Sequence, residues 1–135
     1  MGAEANQALH SKWLEAENLQ DLSHHDDFVH DDIEVDQGGV ARVMGIVEYR
    51  QMMEVAYASI PDFHTVLHDQ IATDDRVVAR WTTSGTHSGD SLGVPATGKP
   101  IEFSGLSIWQ IEDGKARRGW IYSSLPIVLM QLAAP

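Results

Sequence analysis

Hydrophobic and polar positions follow two rhythms along this chain. Residues 3–20 place Ala3, Ala5, Ala8, Leu9, Trp13, Leu14, Ala16 and Leu19 near helical spacing, with strong helix formers between them. This predicts a helix anchored on the rest of the fold by Trp13. Asp32-Ile-Glu-Val-Asp36 alternates with a period of two and predicts a strand. Ile33 and Val35 share one face of it, and Asp32, Glu34 and Asp36 the other. Gly38-Gly39 breaks that strand. Beyond Gly45, Val47, Met52, Val55, Ala56 and Ala58 return to helical spacing, until Ile60-Pro61-Asp62 ends the helix.

Strand rhythm then dominates. Phe63–Ala72, Arg76–His87, Ile101–Ile111 and Ala116–Ser124 read as four successive strands. Thr73-Asp74-Asp75 makes the first turn, the Gly- and Pro-rich stretch Gly89–Pro100 a loop, and Asp113-Gly114 a tight hairpin turn with positive φ. Phe63, Thr65 and Leu67 share a face opposite His64, Val66 and His68. Val77, Ala79, Trp81 and Thr83 share another, as do Phe103, Ser107 and Trp109. Trp120, Tyr122 and Ser124 fall together on the last strand. Large aromatics followed by a small polar residue suit a mostly apolar pocket wall with one polar point. Alternation groups these residues without saying which face is inside. A short apolar segment, Leu125–Leu132, closes the chain.

This order predicts an α+β fold: a strongly curved, cone-shaped antiparallel sheet with the N-terminal helices packed across its concave face. The mouth of such a cone is apolar and can take a small molecule. A length of 135 residues fits one domain spanning 1–135. The net charge of −11 disfavours nucleic acid and anionic membrane surfaces as partners. There is no cysteine, hence no disulfide, thiolate metal site or cysteine nucleophile. His24, His25, Asp26, Asp27, His30, Asp31 and Asp32 concentrate metal-ligating types, but their spacing matches no ligand motif and reads as a solvated acidic loop. His64 and His68 would stand roughly 13 Å apart on a strand, too far to share an ion. No metal is expected. With neither a membrane-length apolar run nor a signal-peptide pattern, a cytoplasmic location is expected.

Several pieces then fall in a recognisable order: Ala56-Tyr57 with Pro61-Asp62, Asp74-Asp75-Arg76-Val77, and Arg80-Trp81. Gly85-Thr86-His87-Ser88-Gly89, Gly93-Val94-Pro95-Ala96-Thr97-Gly98-Lys99, Asp113-Gly114-Lys115, Trp120 and Gln131-Leu132 continue it. Over nearly its whole length the chain resembles the SnoaL-like polyketide cyclases, or ester cyclases, of the nuclear transport factor 2-like superfamily. The resemblance implies a cone-shaped α+β barrel, commonly a homodimer, with an apolar pocket and no cofactor. It implies ring closure by intramolecular aldol condensation, with one carboxylate as acid and base. In the family that aspartate follows the terminal-strand tryptophan by four positions. Here Ser124 stands there, and a serine hydroxyl is no general base near neutral pH.

The base is therefore expected elsewhere. Asp36 ranks first, because counterparts of its strand often line the cavity in this superfamily, with Glu34 sharing its face. His87 follows, since histidine titrates near neutral pH; its other role would be to orient the Thr-His-x-Gly hairpin. Tyr122 is the candidate oxyanion donor. Trp120, Trp81, Phe103, Ser107, Trp109 and Tyr57 form the expected substrate-binding set. The chain then reads as a cofactor-free lyase or isomerase acting on a small apolar oxygenated substrate. A non-catalytic binding protein of the same fold is the alternative, followed by a hydrolase or hydratase such as an epoxide hydrolase.

Overall fold

The structure, a computed structural model, describes residues 2–39 and 43–134. Helix α1 spans Ala3–Asn18, and a short 3-10 turn at His25–Asp27 leads into β1, Val29–Gln37. Helix α2 covers Ile46–Ser59. Strands β2 (His64–Ala72), β3 (Arg76–Thr86), β4 (Pro100–Glu112) and β5 (Lys115–Ser123) follow, and α3, Leu125–Ala133, closes the fold.

The strands form one open sheet in the order β1-β5-β4-β3-β2. Four of them make an antiparallel meander, as their turn chemistry dictates. Asp113 and Gly114 both adopt positive φ (52° and 77°), the two-residue geometry that suits the twist of a hairpin. The sheet departs from a purely antiparallel one at β1, which lies parallel to β5. A whole helix and three strands separate these two in sequence, and so long a connection leaves either direction open.

Two irregularities decide which side chains face inward. Between β4 and β5 the register shifts: Gln110 pairs with Arg118, but Ile111 pairs with Ala116. One extra residue on β5 inverts the alternation beyond it. Ala116 is buried, and so are Gly119 and, in part, Ile121. A second bulge shifts β2 between Leu67 and Asp69, so that Gln70 pairs with the buried Ala79 and shares its inner face.

The main core joins α1 to the sheet. Trp13 is 2% exposed; it stacks parallel to Phe28 at 6.4 Å and meets Trp109 at 4.4 Å between centroids. Side-chain amides fix α1 at both ends. Asn6 donates to the Thr73 and Asp74 carbonyls, and Asn18 exchanges two hydrogen bonds with the backbone of Thr65. A smaller cluster of Ile60, Ile101 and Phe103 receives Leu125, Val128, Leu129 and Leu132 from α3 and its start. No helix among the described residues is long and apolar enough to cross a membrane.

Candidate functional site

Between the helices and the inner face of the sheet lies a cavity of about 200 Å³. One wall is a face of α1. His10, Trp13, Leu14 and Glu17 are spaced i, i+3, i+4 and i+7, which brings them to one side of a helix. Tyr49, Met52 and Met53 of α2 adjoin them. Trp81, Thr83, Phe103, Ser107, Trp109 and Ile121 supply the floor from β3, β4 and β5. The lining is thus mostly apolar and aromatic, with a few polar points.

Glu17 is the one carboxylate among the described residues lining this cavity. Its side chain is 12% exposed. Three donors converge on Oε2: Trp13 Nε1 at 2.9 Å, Tyr49 OH at 2.8 Å and His25 Nε2 at 3.3 Å. Oε1 takes none of these bonds and is not among the sealed, unpartnered atoms, so it stays open. Burial, and then the Glu17 charge, push the Tyr49 hydroxyl well above its ordinary range and keep it a donor. Tyr57 is raised by the same two causes, and its hydroxyl donates to the Glu17 carbonyl at 2.6 Å. Trp13, Tyr49 and His25 are all buried, so the carboxylate is held by side chains with little freedom of their own.

His10 is the second ionisable group on the α1 wall. Burial lowers its pKa from 6.5 to about 4, against the pull of the Glu17 charge, so it is neutral at pH 7. On the floor, Trp81 Nε1 donates to Ser107 Oγ at 2.9 Å, and the Thr65 and Thr83 hydroxyls bond each other at 2.6 Å.

The family model for SnoaL-like polyketide cyclases matches residues 4–132. The chain belongs to this family. Among solved structures it is similar to TsrD from Streptomyces laurentii, at 30% identity and a TM-score of 0.83, with 97% of each chain covered. It is similar to IdmH from Streptomyces antibioticus, a proposed polyketide cyclase, at 26% identity and a TM-score of 0.82, covering 96% of this chain and 99% of that one. AclR from Streptomyces galilaeus, a proposed hydroxylase, shares 25% identity at a TM-score of 0.84, over 94% of this chain and 80% of its own. No curated protein matches the chain.

Against this SnoaL-like frame, Trp81, Phe103, Ser107 and Trp109 line the cavity. The other expected site residues lie outside its lining. Trp120 and Tyr122 are on the outer face, because the bulge in β5 inverts their parity; Ile121 and Ser123 take the inward places. Trp120 instead lies under the guanidinium groups of Arg118 and Arg76, at 4.6 and 5.9 Å. Tyr122 is half exposed opposite Leu106. Asp36 pairs with Trp120 in the parallel register and accepts the Gly39 N–H at 2.8 Å, capping a turn; its neighbour Gln37 reaches the cavity. Glu34 is exposed on the same outer side as Asp36.

His87 is fully buried but does not line the cavity. Its Nδ1 meets the Thr97 hydroxyl at 3.0 Å and accepts the Thr97 N–H at 3.3 Å. Its backbone bonds Lys99 and Gly98. These contacts hold the 88–99 loop. Ser124, which the resemblance puts at the family's acid position, spends its hydroxyl oxygen on the Ser104 N–H at 3.1 Å. Tyr57 is tied to α1 rather than to the cavity. In the acidic segment, His24, Asp26 and Asp27 are exposed as expected, but His25 is wholly buried against Glu17.

The residues missed were His10 and Glu17. Both were legible as polar interruptions within the stripe that holds Trp13 and Leu14. A polar residue on the buried face of a helix needs a partner or a function.

Proposed function

We propose that this protein is a cofactor-free acid/base enzyme of the polyketide cyclase kind, with Glu17 as its base. Its substrate is a small, mostly apolar, oxygenated molecule, polyketide-like or cyclic, seated between α1 and the sheet. The observation that supports this reading is the arrangement of Glu17, a cavity-lining carboxylate whose Oε2 is fixed by three buried donors while Oε1 takes none of these bonds and is not sealed off. A carboxylate so held needs no reorganisation to receive a proton.

The step follows from that geometry. Oε1 takes a proton from a carbon beside a carbonyl. The C–H bond breaks, its electron pair moves onto the carbonyl oxygen as an enolate, and Glu17 becomes the acid. The enolate carbon then attacks a second carbonyl of the same molecule, closing a ring, and the new alkoxide recovers a proton from Glu17. Aromatic walls from Trp81, Phe103 and Trp109 support this by folding an apolar chain and excluding water. The protein so read replaces the missing strand aspartate with a carboxylate from the opposite wall.

The test is conversion of a β-keto-ester polyketide analogue to ring-closed product by wild type and Glu17→Gln. Product from the wild type alone supports the reading. Saturable binding with no product from either protein favours the non-catalytic binder of the same fold. The same reading includes a homodimer joined through the outer face of the sheet, where Val66, Leu106 and Tyr122 stay exposed. Sedimentation as a monomer at micromolar concentration would remove that part.

A further inference from the structure

We infer that His10 is the hydrogen-bond donor that holds the substrate carbonyl oxygen, through an Nε2–H fixed in place by Gln70. This deepens the reading above and rests on it for the identity of the step. It begins from an accident of strand register. The bulge in β2 after Leu67 turns Gln70 to the inner face, against α1. There Gln70 Nε2 lies 3.4 Å from the Gln7 carbonyl oxygen and 2.7 Å from His10 Nδ1. Its Oε1 accepts from the Ser11 hydroxyl at 3.3 Å.

This network leaves one assignment. A carbonyl oxygen only accepts, so the Gln70 atom facing Gln7 is the amide nitrogen. That nitrogen donates to His10 Nδ1 as well, so Nδ1 carries no hydrogen. In a neutral imidazole the hydrogen is then on Nε2. Nε2 has no protein partner, and it is not among the buried atoms sealed without one. His10 is 8% exposed and lines the cavity. The free N–H of the ring is therefore the atom left to face a ligand.

The chemistry suits an oxygen that gains charge. The ring is neutral at working pH, since burial keeps its proton affinity low. A neutral imidazole donates a hydrogen bond without bringing a cation that would pair with Glu17 and quench the base. Base and donor sit two helical turns apart, about 10 Å along the axis of α1, and their side chains bracket Trp13. A substrate lying along Trp13 would offer an α-carbon to Glu17 Oε1 at one end and the oxygen of its second carbonyl, the one that is attacked, towards His10 at the other. When the enolate carbon attacks that second carbonyl, the charge that develops falls on the oxygen that His10 holds. Ser107 on the floor is the competing donor, because its hydroxyl accepts from Trp81 and keeps its own hydrogen free.

The test uses benzophenone labelled with carbon-13 at the carbonyl. It is apolar, carries one acceptor and has no α-hydrogen, so the readout does not depend on proton removal by Glu17. In the wild type the bound carbonyl carbon moves downfield of its position in cyclohexane by several parts per million. His10→Phe keeps a ring but removes the donor and returns the signal to the cyclohexane value. His10→Gln restores an N–H and recovers part of the shift. In turnover of the β-keto-ester analogue, His10→Phe lowers kcat by about 10²-fold, as loss of one oxyanion donor does elsewhere. A downfield shift that survives in His10→Phe and vanishes in Ser107→Ala overturns the proposal, as does a wild-type signal at the cyclohexane position or an absence of saturable binding. Failure of the Glu17 reading would appear in turnover alone and leave the carbonyl shift as it is.

Discussion

His10 and Glu17 stand seven residues apart on α1, and both reach the same cavity wall with Trp13 between them. One is a neutral ring with a single free N–H; the other is a carboxylate with a single free oxygen. Glu17 has three buried donors, whereas His10 has an amide that serves only its uncharged form.

That difference predicts a pH dependence of stability. His10 binds its proton with a pKa of about 4 when folded and near 6.5 when unfolded. The unfolded state therefore holds more protons in this window, and stability rises with pH across it. Protonation costs the fold progressively as pH falls from 6.5 towards 4, by about 3 kcal/mol in full. Urea denaturation at pH 7, 5.5 and 4.5 should show His10→Phe losing less stability over this range than the wild type. Equal slopes would place the neutral histidine elsewhere.

Gly119 sets the floor of the cavity. A Cβ at this position would collide with the Trp109 ring, which leaves that ring no room unless residue 119 has no side chain. Gly119→Ala should destabilise the protein by about 1–3 kcal/mol, as overpacking does. The displaced ring should also weaken benzophenone binding. A variant that binds and melts like the wild type would show that Trp109 has freedom to move.

Ser124, expected from the resemblance at the position of the family aspartate, uses its hydroxyl on the Ser104 N–H. Ser124→Ala should therefore cost about 1 kcal/mol of stability and leave cyclisation within about twofold of the wild type. A large loss of kcat with stability intact would return Ser124 to the site.

Much of this fold was legible because local chemistry and long-range pairing agree. The stripe around Trp13, the alternation of β2 to β4 and the Asp113-Gly114 turn each point to the element that forms. The resemblance read from Gly85 to Lys99 and from Trp120 is carried by the family match over 4–132. The inner face of β4 was also grouped rightly as Phe103, Ser107 and Trp109. What alternation could not reveal were the bulges. A single unpaired residue on β5 turned Trp120 and Tyr122 outward, and no local signal beyond Gly119 marks it. The bulge on β2 aimed Gln70 at His10 in the same hidden way. The resemblance favours Asp36, yet β1 turns Val35 and Gln37 inward and leaves Asp36 on the other face. For Glu17 the sequence offers only its place on the Trp13 stripe, since the partners that fix it, Tyr49 and His25, arrive from distant segments.

One measurement tests directly whether Glu17 is a working base. α-Tetralone is an apolar aromatic ketone with exchangeable α-hydrogens. Its deuterium uptake in deuterated buffer near neutral pH can be followed by proton NMR with wild type and Glu17→Gln, each checked for native circular dichroism. The account predicts catalysed exchange by the wild type, reduced about 10²-fold or more in Glu17→Gln. Exchange at the wild-type rate in a folded Glu17→Gln would contradict it.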